Sequence, residues 1–86
     1  VDSFKKKWPQ FDIAKLTSPG QRDWEDYLIV ANEGRVGFIE LKRLGKKPSE
    51  RQEAKIAKHK ALGHKAYWCD NAGDFMVYAK MIVEGA

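Results

Sequence analysis

Apolar residues in this chain fall in short runs divided by charged or turn-forming positions. Phe11 to Leu16 alternates loosely, with Phe11, Ile13 and Lys15 against Asp12, Ala14 and Leu16, and predicts a strand. Tyr27-Leu28-Ile29-Val30 and Val36 to Leu41 are denser. In these runs Tyr27, Ile29, Ile39 and Leu41 fill one face while Leu28, Val30, Val36 and Phe38 fill much of the other, as expected of strands covered on both sides. Asn32-Glu33-Gly34 separates them and predicts a three-residue hairpin loop with left-handed backbone at Gly34, which glycine adopts without steric cost. In that register Ala31 faces Arg35, Leu28 faces Phe38 and Asp26 faces Glu40. A two-residue turn at Glu33-Gly34 would instead set Asp26 against Leu41.

Beyond the hairpin the period changes. Leu44-Gly45-Lys46-Lys47-Pro48 reads as a basic turn, and Ser49-Glu50-Arg51-Gln52 matches a capping box opening a helix that runs to about Leu62 and stops at Gly63. Ala54, Ala57 and Ala61 form a narrow stripe suited to packing on a sheet; Arg51, Lys55 and Lys58 line another side, and Gln52, Ile56 and His59 a third. Lys65 to Cys69 predicts a strand that the helix makes parallel to an earlier one. Asp70 to Asp74 reads as a turn. Phe75 to Val83 has both helical spacing and strand-forming residues, and a helix capped by Asp74 is the favoured reading. At the start, Val1 to Trp8 reads as the tail of a helix ending before Pro9, followed later by a loop over Thr17 to Gln21. Val1 is not an initiator methionine, so this helix is expected to be cut short. The pattern predicts one small α/β domain over residues 1–86, a mixed β-sheet flanked by helices.

Charges inside such buried strands need a reason, because an unpaired buried charge is costly. Glu40 and Lys42 lie two residues apart and leave their strand on one face. If Asp26 joins them, two carboxylates on neighbouring strands repel unless something positive lies between, and a hard divalent cation such as Mg²⁺ with retained waters is the natural occupant. The plainer alternative is a surface Glu–Lys pair with Asp26 as a turn residue. Gln52 has two readings as well, as the cap partner of Ser49 and as a member of the site. Arg22 and Trp24 stand near enough to the Asp26 strand to touch a substrate, although an aromatic there more often serves a core.

Net charge is +4, unevenly spread: Lys42 to Lys65 carries nine basic residues against two acidic ones, and the remainder sums to −3. A basic concentration that begins at the candidate site is the electrostatic footprint of a polyanionic partner, against the alternative of a solvated lysine-rich helix. The single Cys69 excludes an intramolecular disulfide and a multi-cysteine zinc site, and neither His59 nor His64 makes a metal spacing with it. No apolar run approaches the roughly 18 residues of a membrane helix, and the start shows no signal peptide, so no membrane partner and a reducing cytoplasmic setting are expected.

The order of an acid at a strand start, a hairpin, Glu40-Leu41-Lys42, a basic turn and Ser49-x-x-Gln52 resembles the PD-(D/E)xK nuclease superfamily, and more narrowly its small VRR-Nuc members found in phages. The resemblance covers roughly Lys15 to Asp70. It implies a restriction-endonuclease-like α-β-β-β-α-β core and a metal-dependent DNA endonuclease. By position, Asp26 and Glu40 would ligate Mg²⁺ or Mn²⁺ with the Leu41 carbonyl adding an oxygen, Lys42 would orient or activate the attacking water, and Gln52 is the helix glutamine beside the site. Arg43, Lys46, Lys47, Arg51, Lys55 and Lys58 would contact DNA phosphates. The resemblance further implies a homodimer acting on branched, junction or flap DNA, no small-molecule cofactor, and the cytoplasm of a bacterial host if the chain is phage-encoded. Two departures stand out: Glu25 replaces the expected proline before Asp26, and Val1 to Trp8 offers only Asp2 where the family supplies a glutamate. A DNA-binding module with an incomplete catalytic centre is the competing reading, and a small α/β subunit with a solvated basic helix a third.

Overall fold

The hairpin sets the architecture. In the computed structural model, which describes residues 11–16 and 25–85, strands β1 (Asp12–Lys15), β2 (Tyr27–Val30) and β3 (Val36–Leu41) form an antiparallel meander. Helix α1 (Glu50–Ala61) then carries the chain back so that β4 (Lys65–Cys69) pairs parallel to β3, and α2 (Ala72–Glu84) follows. Sheet order is β1-β2-β3-β4. The expected helix over Val1–Trp8, with Asp2, the loop over Thr17–Gln21, and Arg22 and Trp24 lie outside the described residues.

Leu28 pairs with Phe38 and Val30 with Val36, the register of a three-residue connection. Ala31 N–H donates to the Arg35 carbonyl at 2.8 Å. Gly34 is left-handed as expected (φ 73°), but so is Glu33 (φ 64°), whose carboxylate meets Arg35 at 3.1 Å.

Alternation along the strands produces two cores. Ile29, Ile39 and Cys69 pack with Phe75, Ala79, Ile82 and Val83 of α2, flanked by Tyr27 and Leu41. On the opposite face Phe38 and Ala66 pack with Ile56 of α1, flanked by Leu28, Val36 and Trp68. The division of faces expected for the two central strands is therefore observed, except that Val30, at the end of β2, is 44% exposed and joins neither core.

The helices differ from expectation in two respects. Ala54, Ala57 and Ala61 are all exposed, and α1 packs instead through Ile56 and His59. The reason is reach: the His59 ring stacks on Phe38, with centroids 4.2 Å apart and planes 21° apart, a gap an alanine methyl cannot span. The cap of α2 is Asn71 and not Asp74; the helix begins three residues earlier than expected, with the Asp74 N–H donating to Asn71 Oδ1 at 2.8 Å. Asp74 sits in the first turn, where a carboxylate is favoured by the helix dipole, which explains why it resembled a start signal.

Candidate active site

Both helices begin at the end of the sheet where β3 and β4 finish, so their positive dipole ends lie at that end. In sheets with parallel strands, this is the end at which ligands usually bind. A cavity of about 290 Å³ lies at the other end, lined by residues including Arg35, His64 and Lys65. Arg35 there donates to the Val83 carbonyl at 3.3 Å, closing the last turn of α2.

Glu40 points from β3 toward α1 and is 2% exposed. Asp26 immediately precedes β2. Where the β2–β3 ladder runs out, its Oδ2 accepts from the Leu41 N–H at 3.0 Å, so the carboxylate takes over a ladder hydrogen bond. In extended backbone a residue's N–H and C=O leave on the same edge, which directs the Leu41 carbonyl to the Asp26 side as well. The structure thus brings Asp26, Glu40 and Leu41 together, as the hairpin register predicts.

Two donors converge on one oxygen of Glu40. Lys42 Nζ lies 3.3 Å from Oε2, and Gln52 Nε2 donates to the same atom at 3.1 Å. The other oxygen, Oε1, is buried with no hydrogen-bond partner. Burial, and next the charge of Asp26, push the Glu40 carboxyl above its ordinary range; the Lys42 bond and charge oppose this, and Glu25 adds a smaller upward push. Two carboxylates with a buried, unbonded oxygen suit a hard cation taking oxygen ligands. Among the described residues no third His, Cys, Asp or Glu side chain completes such a group.

Gln52 touches both the helix cap and Glu40. Its Oε1 accepts from the Ser49 N–H at 2.9 Å while its own N–H donates to Ser49 Oγ at 3.2 Å, completing the capping box. With the amide oxygen committed to the cap, the amide nitrogen is the end left to face Glu40. The cap therefore orients the site.

The basic residues divide by position. Arg43, Lys46 and Lys47 are exposed on the loop after Lys42, and Arg51 is exposed in the first turn of α1. Lys55 is half-buried, and exposed Lys58 lies in the last turn, roughly 10 Å of helix rise beyond Arg51. The loop group borders the carboxylates; Lys58 stands apart.

Sequence reasoning missed the pairing of Glu25 with His59. Glu25, noted only as a departure from proline, is 1% exposed, and His59 Nδ1 lies 3.0 Å from its Oε2. The pair ties the entry of β2 to α1, thereby holding Gln52 over the sheet. The one available signal was that His59 lies in line with Gln52 and Ile56.

The raised pKa has a consequence for stability. A carboxyl whose folded value lies above its unfolded value favours folding while protonated in both states, and that contribution is lost as pH rises through the folded value. Glu40→Gln is therefore expected to raise the melting temperature at pH 7 to 8, with the gain shrinking as pH falls through the raised folded value and gone once pH is below the ordinary carboxylate range. Thermal melts across pH check this; a uniform loss of stability at every pH contradicts it.

No family model matches the chain. Over 57 residues, 66% of the chain, it is 37% identical to "Putative nuclease p44" of Acyrthosiphon pisum secondary endosymbiont phage 1, and the match spans 61% of that protein's length. A solved structure described as a VRR_NUC domain superposes with a TM-score of 0.69 at 20% identity, over 94% of this chain and 87% of its own. With its mixed four-stranded sheet between two helices, the chain has the fold of a VRR_NUC domain.

Proposed function

We propose that this chain is a metal-dependent endonuclease hydrolysing phosphodiester bonds in DNA, selective for branched, junction or flap structures and acting as a homodimer. The observation that carries the reading is the convergence of Lys42 and Gln52 on Oε2 of buried Glu40, whose Oε1 is left without a hydrogen bond, with the Asp26 carboxylate on the neighbouring Leu41 N–H. The name of the phage relative supports it.

Asp26 and Glu40, with the Leu41 carbonyl, would hold Mg²⁺ or Mn²⁺; such an ion, when bound, supplies positive charge to phosphoryl oxygens and lowers the pKa of water. Lys42 keeps its ammonium on the carboxylate face, held by Glu40 yet 24% exposed, where it can orient a water or offset charge on a phosphate. Gln52 holds Glu40 Oε2, which keeps Oε1 directed away from the helix cap. Arg43, Lys46, Lys47 and Arg51, with Lys55 and Lys58 further along α1, supply phosphate affinity without reading sequence. No helix among the described residues is long and apolar enough to cross a membrane, and host cytoplasm is the proposed setting.

A second reading, a DNA-binding module of this fold, is favoured by the presence of only two acids at the site among the described residues. Cleavage of labelled four-way, flap and linear duplex DNA with Mg²⁺, Mn²⁺ or EDTA separates the two. Metal-dependent cutting biased to branched substrates supports the nuclease; salt-sensitive binding without cutting under any metal supports the module. Sedimentation with and without DNA tests the dimer.

A further inference from the structure

Leu44 is 81% exposed, more than any other exposed large hydrophobic residue described. Single exposed leucines are ordinary on protein surfaces and by themselves mean nothing. This one differs in how it is held and in what surrounds it. Arg43, Leu44, Gly45 and Lys46 form a tight turn closed by Lys46 N–H donating to the Arg43 carbonyl at 2.9 Å. Gly45 at the third position has φ 83°, the signature of a type II turn, which places Leu44 at its apex.

The turn is fastened from outside. Gly45 N–H donates to Asp70 Oδ2 at 3.0 Å, and Asn71 Nδ2 holds the other Asp70 oxygen at 2.9 Å. These bonds, the Gly45 amide first, keep the Asp70 carboxyl below its usual range and hence ionised. Lys42 N–H is bonded to the Cys69 carbonyl at 2.8 Å before the loop, and the Ser49 capping box begins just after buried Pro48. An apolar side chain thus stands on a braced apex, flanked by the exposed cations Arg43, Lys46 and Lys47. It is two residues from Lys42, at most about 7 Å of extended backbone.

We infer that Leu44 is an apolar wedge that enters the base stack of DNA where stacking is already interrupted, while the cations beside it hold the flanking phosphates. This rests on the nuclease reading and specifies how its substrate is chosen. Apolar side chains placed among phosphate contacts insert between base steps in many DNA-bending proteins, at the expense of unstacking. That expense is least at a branch point, where a base has already lost a neighbour. A braced turn loses little further freedom on insertion, so more of the contact energy remains as selectivity. Leu44 thereby favours branched over continuous DNA beside the reacting phosphate, without reading sequence.

The test uses flap DNA carrying 2-aminopurine beside the branch, and an uninterrupted duplex of the same sequence, with protein in a Glu40→Gln background so that neither is consumed. Binding is read by anisotropy and unstacking by the fluorescence of the base. With Leu44 present, fluorescence rises on binding to the flap. Leu44→Ala is expected to abolish most of that rise and weaken flap binding roughly tenfold, the scale of an unburied leucine side chain, with duplex binding changed less than about twofold. Leu44→Met should retain both effects. If Leu44→Ala still binds flap DNA with steep salt dependence and an unchanged fluorescence rise, the wedge is refuted and the nuclease reading survives. Equal weakening on both DNAs, or a change in sedimentation of the free protein, also refutes it, the latter assigning Leu44 to contact between copies. Absence of salt-dependent DNA binding by the parent protein removes both readings together.

Discussion

Glu40→Ala is expected to abolish metal-dependent cleavage, with a loss of at least about a thousandfold, and Lys42→Ala to lower it by about a hundredfold or more. The two losses should differ in character. Removing Glu40 deletes the buried Oε1 and the acceptor shared by Lys42 and Gln52, so divalent-ion binding, measured by calorimetry, should vanish with activity. Removing Lys42 deletes one of the influences that hold the Glu40 carboxyl down, leaving burial and Asp26 to push it higher. A higher pKa means that protons compete with the metal over a wider range, so the acid limb of the pH–rate profile should move to higher pH in Lys42→Ala. Lys42→Arg should restore the limb more fully than the rate, because charge is kept while the shape of the donor changes. A Lys42→Ala enzyme with normal activity and an unmoved profile would remove this residue from the site. Retained cleavage in Glu40→Ala would remove the site itself.

Gly37→Ala is expected to destabilise the fold by about 1–3 kcal/mol, lowering the melting temperature by roughly 5–20 °C. Alanine ordinarily gains over glycine inside a strand, so the sign is informative. Gly37 lies between Ile29 and Lys65 in the sheet, on the face covered by α2. A Cβ there would overlap the side-chain carbons of Ile82, which is 1% exposed. Relief requires Ile82 to leave its rotamer or α2 to lift from the sheet. Ile82→Ala in the Gly37→Ala background should recover part of the loss, a coupling expected only of side chains in contact. Thermal melts of the two single variants and the double decide it; additive losses, or a Gly37→Ala protein as stable as the parent, would show that the close approach is not what glycine serves.

These two sites were legible to different degrees before the fold was in view. Glu40 and Lys42 could be placed on one face because strand alternation is set by adjacent backbone units, and Asp26 joined them once Gly34 had fixed a three-residue connection. Gly37, by contrast, read only as one more position in the Gly37-Phe38-Ile39-Glu40-Leu41-Lys42 strand. Its need for a missing side chain comes from Ile82, 45 residues later in the chain.

The same division holds for α1. Ser49 and Gln52 announce the start of the helix because a capping box closes within four residues. Which side of that helix meets the sheet is not encoded so locally: the alanine stripe and the line through Gln52, Ile56 and His59 both satisfy helical spacing. Phe38 decides between them by offering a ring face that His59 can reach, and Glu25 secures the choice from 34 residues away.

What the sequence by itself determined was therefore the strands, the hairpin register that sets Asp26 beside Glu40, the helix cap and the sharing of one face by Glu40 and Lys42, since each follows from interactions over a few residues or across one tight turn. The tertiary structure decided the raised pKa of Glu40, the meeting of Lys42 and Gln52 on its Oε2, the Glu25–His59 tie and the Asp70 brace on the Leu44 turn. Each of these depends on packing and desolvation by groups distant in sequence, and neither spacing nor composition carries that information.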